Sequence, residues 1–413
     1  MPWRRITAAM ADSALSIRTI TESDIPEFQR VMAWAFNDDP RGVDSKWLKV
    51  IEHDRAHAVL DGDEIIGTAG ILTREITVPG GLQAPAGAVT VVTVKPGHRR
   101  RGVATLLMKT QLHGMHESGE PIAILWASEG SIYRRFGYGE LATSLNRMTM
   151  PTRVAFHPGV PVSGTRIRQV SREEAMPFMR EMHDRVRRTR VGWLNRVEAT
   201  WDVQLADREV DRDGLTAYRY CLHPEGYVVF RVKGGRSPRG PQDELHVREL
   251  VCETEQAYAD LYRFLLDTDL TAEISFYTAA DDPILHMVDN PRQVSRDLGD
   301  ALWLRIVDVD RALPLRRYSS DVDSVIEVED SFCPWNSGRW RFTVKGGEAV
   351  VTRTEDPADV SLDAAALGSV FLGGVRLSVL KRAHRVVEHT PGHVDMLTLA
   401  FIDTQEPHCP EVF

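Results

Sequence analysis

The chain is poor in cysteine and contains no long apolar run. Its 413 residues include four cysteines, none of which belongs to a CxxC pair: Cys221, Cys252, Cys333 and Cys409. This spacing argues against a dense disulfide framework and against the usual zinc motifs, so we expect a reduced, cytoplasmic protein without a metal site. No stretch approaches the roughly 18 consecutive apolar residues of a membrane-spanning helix, so we expect no membrane span.

The N-terminal segment also lacks the apolar run that a signal peptide needs. Residues 1–14 hold two adjacent arginines but few consecutive apolar residues, so we predict a flexible tail and leave open secretion by a route without a signal. The chain has 50 basic and 59 acidic residues and a formal net charge of −9, which argues against bulk nucleic-acid binding. Its length suggests two to four domains.

Three segments of the sequence differ in their patterns. Residues 15–150 alternate strand-like and helical stretches, which predicts an α/β domain. Residues 151–310 repeat this order, with a strand and a hydroxyl-capped helix in "TRIRQVSREEAMPFMREM" and an amphipathic helix in "EQAYADLYRFLLDTD", so we infer a diverged duplication. Residues 311–413 predict an α+β domain with strands first, helices over "DVSLDAAALGSVFLGG" and "RLSVLKRAHRVVE", and an extended tail.

A basic turn that contains glycine separates a predicted strand from a predicted helix in the first domain. The sequence is "VTVVTVKPGHRRRGVATLLMKT", and the helix is expected from Arg101. A helix start carries unpaired N–H groups and partial positive charge, so it can bind phosphate, and arginines add bidentate donors. The alternative is a solvated basic helix start. The matching junction of the second domain, "VCETEQAYADLYR", has neither glycine nor arginine before its helix.

The spacing of this turn resembles a known acetyl-CoA-binding pattern. Arg99-x-x-Gly102-x-Ala104 is similar to the (Q/R)xxGx(G/A) pattern of the GCN5-related N-acetyltransferases, which holds the pyrophosphate of acetyl-CoA. The later segment "ASEGSIYRRFGYG" resembles the enhanced intracellular survival (Eis) family. By this resemblance, the residues that contact acetyl-CoA would be Val92, Thr93, Val94, Arg99, Arg100, Arg101, Gly102, Val103, Ala104, Thr105, Ser128 and Glu129.

The resemblance also implies a domain order. It covers nearly the whole chain and implies two tandem acetyltransferase-like domains, a catalytic one at 15–150 that binds acetyl-CoA and a degenerate one at 151–310. A sterol-carrier-protein-like domain would occupy residues 311–413, with a C-terminal tail that reaches the active site. The fold class is thus α/β and α+β, and the family implies a homohexamer.

An acid and a base are implied by the same resemblance. Tyr133 matches the general acid of the family, and a phenol with a pKa of about 10 is protonated at neutral pH and can donate. The alternative role for Tyr133 is an aromatic core residue, and Tyr138 serves as an internal control. The base would be the α-carboxylate of Phe413, which is ionised at neutral pH. The alternative for Phe413 is a disordered chain end.

The implied substrate-binding residues combine aromatic rings and carboxylates. They are Phe36, Asp38, Trp47 and Glu411, and Asp39 is an equal candidate by its chemistry. Aromatic rings can stack on the apolar or sugar face of a substrate, and acids can hold ammonium groups. The alternative reading of "NDDP" is a solvated turn.

The sequence therefore favours an acetyl-CoA-dependent N-acetyltransferase. It would act by direct transfer in a ternary complex on amines of polycationic small molecules such as aminoglycosides, which would make it an antibiotic-resistance enzyme. Lysine side chains of proteins are a second class of substrate. From another class of function, the alternative is a lipid-binding or scaffold protein in which the acetyltransferase domain is vestigial.

Overall fold

The computed structural model describes residues 15–39, 46–238 and 240–413, so the predicted flexible tail at 1–14 lies outside the described residues. Nothing is described of the side chains at positions 46, 47, 236 and 241. The chain divides into two units: the first runs to Leu72 and includes Val89–Gly114, and the second combines Thr73–Ala88 with Met115–Phe413. This division crosses the segment predicted as the first domain, whose bounds stay a prediction.

Strands and helices alternate from residue 16 to residue 151, in the order that the sequence pattern predicts. Residues 56–77 form two strands around the Asp-Gly-Asp turn, and the valine-rich strand is longer than "VTVVTV". The elements are β1 (Ser16–Thr19), α1 (Ile25–Phe36), β2 (Ala56–Asp61), β3 (Glu64–Thr77), β4 (Gln83–Val94), α2 (Val103–Ser118), β5 (Ile122–Trp126), α3 (Gly130–Tyr133) and β6 (Ser144–Pro151).

A sheet and one helix build the core of the first unit. Strands β1 to β4 are neighbours in sequence order, and the β1–β2 and β2–β3 pairs are antiparallel. Helix α2 packs Val103 and Leu107 into a buried cluster with Ile66. The helix begins at Val103 rather than at Arg101, because Gly102 has a φ of 85° that an α-helix does not allow.

The second repeat of the pattern lies within the second unit. The sequence pattern did not single out a short helix after residue 197 or the strand that begins at residue 219. The elements are β7 (Arg168–Val170), α4 (Arg172–Arg187), α5 (Glu198–Gln204), β8 (Arg219–His223), β9 (Gly226–Lys233), β10 (Arg236–Ser237), β11 (Gly240–Pro241), β12 (Asp243–Cys252), α6 (Glu255–Leu266), β13 (Thr271–Thr278), α7 (Ile284–Met287), β14 (Ser295–Asp300) and β15 (Leu302–Ile306).

A seven-stranded sheet among the described residues organises this part of the second unit. Its order is β14-β6-β13-β12-β9-β8-β7, and β12 and β13 run parallel. Side chains of β9 alternate between two cores: Val228 and Phe230 pack with helix α6, whereas Tyr227 and Val229 pack with helix α4. Since successive side chains of a strand point to opposite faces, the two helices cover opposite faces of the sheet. Strand β15 pairs separately with β5.

The C-terminal part forms a five-stranded sheet, within the described residues, in the order β18-β17-β16-β19-β20. No helix in the described ranges has both the length and the apolar character to cross a bilayer. The remaining elements are α8 (Val309–Ala312), β16 (Val322–Glu329), β17 (Gly338–Lys345), β18 (Glu348–Arg353), β19 (Val360–Asp363), α9 (Ala364–Val370), α10 (Leu377–Arg382), β20 (Val386–Glu388) and α11 (His393–Phe401).

Two of the predicted C-terminal helices are shorter than expected. Residues 360–363 form strand β19, because Val360 pairs with Ile326 of β16 and Asp363 caps α9 by accepting a bond from the Ala366 N–H at 2.6 Å. The second predicted helix ends at Arg382, and the apolar residues after it form strand β20. Helix α11 was not predicted. The last residues, 402–413, form the expected extended tail.

Candidate active site

The turn before α2 has the backbone of an exposed helix start. Arg99 is extended, and Arg100 and Gly102 have φ values of 64° and 85°. A Cβ atom at Gly102 would meet no atom within 4 Å, so glycine is needed here for its backbone conformation rather than for space. The Gly102 carbonyl accepts the Leu106 N–H at 2.9 Å and opens the helix. The first N–H groups of α2 therefore follow directly on an exposed, left-handed turn.

The three arginines of this turn differ in their surroundings. Arg101 donates to the Asp61 carboxylate at 2.6 Å, and His98 lies 3.9 Å from the same carboxylate. Arg99 and Arg100 are exposed. Arg101 is thus held against the β2–β3 turn, and Arg99 and Arg100 extend the positive charge of the helix start toward solvent.

The end of strand β4 contains a backbone outlier. Val91 has a φ of 48°, which is rare for a β-branched residue and indicates local strain. The Thr68 hydroxyl donates to the Val91 carbonyl at 2.8 Å and lies 2.5 Å from the Thr93 hydroxyl. Thr93 is buried, whereas Val92 and Val94 are half-buried. Any contact of Thr93 with acetyl-CoA would therefore use its backbone.

Lys95 was not singled out by the sequence, although it fixes the base of the turn. Its Nζ lies 2.9 Å from both Glu27 of α1 and Glu64 of β3, and 5.9 Å from the centre of the Trp34 ring. The lysine side chain is 8% exposed. The Glu27 and Glu64 side chains are 30% and 54% exposed, so these partly exposed ion pairs tie the start of the basic turn to two other elements. The acids are 37 residues apart in sequence, so no local pattern predicts the cluster.

Tyr133 lies at the end of α3, directly after β5, and belongs to the second unit. Its side chain is buried, which raises the pKa of the phenol above 10, and a hydrogen bond with Ser128 partly offsets that rise. Ser128 and Glu129 are exposed in the loop between β5 and α3. The phenol is therefore protonated at neutral pH and can only donate a proton.

Tyr138 packs beside Tyr133 with a different environment at its hydroxyl. The ring centres are 6.1 Å apart in an edge-on arrangement. Tyr138 is fully buried, and its hydroxyl has no hydrogen-bond partner among the described residues. A Cβ atom at the following Gly139 would lie 2.1 Å from the Ser369 backbone nitrogen, so glycine allows helix α9 to pack against this loop. The C-terminal sheet domain thus supports the segment that carries Tyr133.

Two of the expected substrate residues of the first unit, Phe36 and Asp38, lie at the end of α1. Phe36 is the last residue of the helix and is 44% exposed. Asn37 ends the helix in the left-handed region, and Asp38 and Asp39 are exposed after it. Trp47 lies in a short 3-10 helix, Lys46–Val50, but its side chain is outside what the structure describes. An aromatic ring and a carboxylate therefore both face solvent at this point.

The C-terminal tail packs against the second unit and does not extend freely into solvent. The His408 N–H donates to the Val191 carbonyl at 2.9 Å, and Gln204 donates to the Val412 carbonyl at 2.6 Å. Phe413 is 8% exposed, whereas Val412 is 47% exposed. All four cysteines, including Cys409 in this tail, are unpaired and buried.

Glu411 has a different partner from the expected substrate ammonium. It is 1% exposed, accepts from Arg196 Nε at 2.7 Å and lies 3.8 Å from an Arg74 nitrogen. Arg196 also donates to Glu249 at 2.6 Å. Burial alone would raise the pKa of the Glu249 carboxyl. The charge and the hydrogen bond of Arg196 outweigh burial and lower this pKa to about 2. A carboxylate enclosed in this way already has its countercharges.

The corresponding junction of the second repeat is closed. Helix α6 begins after Thr254, whose hydroxyl accepts the Ala257 N–H at 3.1 Å. Glu253 and Glu255 flank this cap, and Glu253 pairs with Arg185. Negative charge and an occupied cap leave this helix start unsuited to a phosphate. Among the described residues, no group of three or more His, Cys, Asp or Glu side chains is placed to hold a metal ion.

Family models match most of the chain. A model described as an acetyltransferase (GNAT) domain matches residues 16–141, and a second acetyltransferase (GNAT) domain model matches residues 192–306. A sterol carrier protein domain model matches residues 309–410.

Known proteins are similar over nearly the full length. An uncharacterized N-acetyltransferase of Streptomyces avermitilis is 38% identical over 89% of this chain and 91% of its own. The N-acetyltransferase Eis of Mycobacterium tuberculosis is 34% identical over the same shares. Among solved structures, Eis1 from Mycobacterium abscessus has a TM-score of 0.85 at 32% identity, and the match covers 97% of this chain and 100% of that one. A GCN5-related N-acetyltransferase from Anabaena variabilis, 20% identical, shares the fold with a TM-score of 0.84 over 97% of this chain and 100% of that one.

Proposed function

The chain belongs to the Eis family of GCN5-related N-acetyltransferases, and from this premise we propose that it acetylates amines of polycationic small molecules such as aminoglycosides. It is an acetyltransferase whose two GCN5-related domains precede a sterol-carrier-type domain, which confirms the predicted fold class. The observation that carries the proposal is the exposed turn at 99–102 before α2, which suits an anionic cosubstrate.

Acetyl-CoA is the proposed acetyl donor. Arg99 and Arg100 would bind its pyrophosphate together with the first N–H groups of α2, since guanidinium groups form bidentate bonds with phosphate. The backbone of Val92, Thr93 and Val94 would pair with the amides of the pantetheine arm, directly after the positive φ of 48° at Val91. We keep Ser128 and Glu129 as proposed contacts, because both are exposed beside Tyr133.

The chemistry proposed is a direct transfer between two bound substrates. The neutral amine attacks the thioester carbonyl, a C–N bond forms, and the C–S bond breaks. The thiolate of CoA takes the proton of the Tyr133 hydroxyl, and the nitrogen loses its proton to the Phe413 carboxylate, directly or through a water. Exchange with solvent then restores both groups. The products are the acetylated amine and free CoA, so neither a metal nor a covalent enzyme intermediate is needed.

The acceptor side favours cations with an apolar or sugar face. Phe36 offers an exposed ring, and Asp38 and Asp39 lie next to it in sequence. Carboxylates attract ammonium groups, and a ring can cover the face of a sugar. The homohexamer implied by the resemblance and the cytoplasmic location inferred from the cysteine pattern remain predictions.

A substrate panel tests this proposal. The release of CoA thiol from acetyl-CoA would be followed with aminoglycosides, linear polyamines and lysine-containing peptides, with Tyr133→Phe as the control for enzyme-catalysed release. We expect release with the polycationic small molecules and little with the control. Faster turnover of peptides would favour a protein lysine acetyltransferase. Binding of acetyl-CoA without release on any amine would contradict the proposal and favour the lipid-binding or scaffold function.

A further inference from the structure

We propose that Glu411 is a positioning residue, which holds the chain end so that the Phe413 carboxylate occupies one fixed place. This inference rests on the proposed function, in which that carboxylate takes the amine proton. Glu411 is buried, Val412 is exposed and Phe413 is buried again, as in an extended segment that lies against a surface. Two residues span at most about 7 Å, so an anchor at Glu411 limits where the carboxylate can lie.

The anchor is a balanced set of buried charges. Arg74, Arg196, Glu249 and Glu411 carry two positive and two negative charges, and each side chain is at most 5% exposed. Arg196 uses Nε for Glu411 at 2.7 Å and Nη2 for Glu249 at 2.6 Å. A planar guanidinium can hold two carboxylates in fixed directions, which the single ammonium of a lysine cannot.

The groups around Arg196 fix its orientation in turn. The guanidinium lies 4.6 Å from the centre of the Trp201 ring, and the Tyr227 hydroxyl donates to Glu249. Tyr227 and Glu249 belong to neighbouring strands of the sheet, β9 and β12. The anchor therefore fixes the tail, which has no regular secondary structure, to two strands of the sheet.

A second tie acts on the main chain between the anchor and the carboxylate. Gln204 donates to the Val412 carbonyl at 2.6 Å, and its own side-chain oxygen accepts from Arg248. Arg248 also donates to the Gln204 carbonyl at 3.2 Å. The side-chain amide is thus oriented by one bond from Arg248 and one bond to the tail, while the second Arg248 bond holds the main chain of Gln204. A tail that needed only burial would be held by Phe413 alone, whereas these directional bonds set its register.

The energetics of buried ion pairs allow positioning and stability to be separated. Replacing a buried pair by apolar residues is often neutral for stability, whereas removing one partner is strongly destabilising. Glu411→Met leaves Arg74 and Arg196 with only one acid. Arg74→Met together with Glu411→Met restores the balance and leaves the bond between Arg196 and Glu249 in place. The double variant should regain thermal stability without regaining the tie to the tail.

The test measures kcat, the KM values for acetyl-CoA and the amine, and Tm for these variants and for Gln204→Ala. Glu411→Met should lower kcat roughly 10- to 100-fold, the scale of a displacement near 1 Å, with the KM for acetyl-CoA unchanged. Gln204→Ala should lower kcat by a smaller factor. The double variant should melt later than Glu411→Met but keep the low kcat. The control is Asp260→Asn, a buried carboxylate held by Ser163 and His223 in the same unit, which should lower Tm only.

Recovery of kcat together with Tm in the double variant would overturn the inference, because Glu411 would then act through stability alone. Wild-type kcat in Glu411→Met and Gln204→Ala would overturn it too. Either result leaves the proposed function intact if one glycine added after Phe413 still abolishes turnover. If that extended enzyme keeps its kcat, the proposed base fails and the inference fails with it, and if the wild-type enzyme releases no CoA on any amine, the proposed function itself fails.

Discussion

At the scale of single residues, two tyrosines five positions apart differ in what surrounds their hydroxyl groups. Both rings are buried, and burial raises the pKa of each phenol. Only Tyr133 has a polar neighbour in Ser128, beside the exposed loop at 128–130, whereas the Tyr138 hydroxyl is enclosed without a partner among the described residues. Burial alone therefore does not distinguish the two tyrosines, whereas the hydrogen-bond partner of the hydroxyl does.

The first prediction compares these two tyrosines. Tyr133→Phe keeps the ring and removes the proton, so kcat should fall by roughly 10²-fold or more, in the usual range for a general acid. The affinity for acetyl-CoA should change little. Tyr138→Phe should change kcat very little, because the hydroxyl that it removes makes no hydrogen bond among the described residues. Steady-state kinetics with one amine as the acceptor provide the measurement. Equal losses of kcat in the two variants would refute the assignment of Tyr133 as the acid.

The second prediction separates the three arginines of the turn. Arg100→Ala should raise the KM for acetyl-CoA about tenfold or more, since a charge-assisted bond contributes roughly 1.5–3 kcal/mol. Arg101→Ala should have a smaller effect on this KM, because Arg101 is already paired with Asp61. Initial rates measured over a range of acetyl-CoA concentrations give this KM for each variant. A larger effect at Arg101 than at Arg100 would show that the pairing with Asp61 is broken when acetyl-CoA binds.

The basic turn could be read from the sequence, and the tail anchor could not. Arg99 to Gly102 are contiguous, and a glycine that follows arginines at a strand-to-helix junction has a physical reason that is local. Arg196 and Glu411 are 215 positions apart, and their pairing appears only when the chain is folded. The family resemblance implies Glu411 as a substrate-binding residue. Its burial beside two arginines gives the carboxylate another role.

At the scale of elements, the two strand-to-helix junctions of the repeat differ in capping. Helix α2 follows an exposed turn with positive φ values, and helix α6 follows Thr254 with acids on both sides. The third prediction is that each chain binds one molecule of acetyl-CoA. Calorimetry should give about one acetyl-CoA bound per chain, because the acids at the start of α6 repel phosphate and the cap of this helix is already occupied. Two sites per chain would contradict this account of the second domain.

The tail carries a buried histidine that should make its packing depend on pH. Burial lowers the pKa of His408 from 6.5 to about 4, so the folded state holds fewer protons than the unfolded state between these values. Neutral His408 therefore makes its full contribution to the stability of the packed tail above about pH 6.5, and this contribution is lost as the pH falls toward 4. The difference of about 2.5 in pKa corresponds to roughly 3 kcal/mol.

The fourth prediction follows from this sign. Amides of the tail should exchange faster with solvent as the pH falls from 6.5 to 4, after correction for the intrinsic pH dependence of exchange. His408→Asn should flatten this dependence. Hydrogen exchange of the C-terminal peptide provides the measurement, and a peptide from strand β12 serves as the control. The same slope in the wild-type and His408→Asn chains would contradict the role of His408.

Element boundaries show which sequence patterns are local. The strands "IAILW" and "GYVVFRVK" and the helices α2, α4 and α6 follow from periodicity and capping. The sequence pattern predicts helix at strands β19 and β20, because segments of four or fewer residues fit either period. Their identity depends on pairing with β16 and with each other, which is a tertiary effect.

At the scale of the whole molecule, the C-terminal domain contributes to the segments that the proposed reaction uses. Helix α9 packs against the loop after Tyr138, and the tail that follows α11 reaches Val191, Arg196 and Gln204. The order of domains and a tail that reaches the active site are predicted by resemblance, whereas the contacts of the tail with Val191, Arg196 and Gln204 are not. The proposed acetyl transfer uses both segments.

The measurement that tests the central claim most directly compares chains that differ only after Phe413. One added glycine moves the α-carboxylate and puts a neutral amide in its place, and an amide cannot accept the amine proton at neutral pH. We expect kcat for acetylation of an aminoglycoside or polyamine to fall roughly 10²-fold or more, with the affinity for acetyl-CoA and Tm unchanged. A chain with one glycine added at the N-terminus is the matched control. Full turnover by the C-terminally extended chain would contradict the account, because the base would then have to be a side chain.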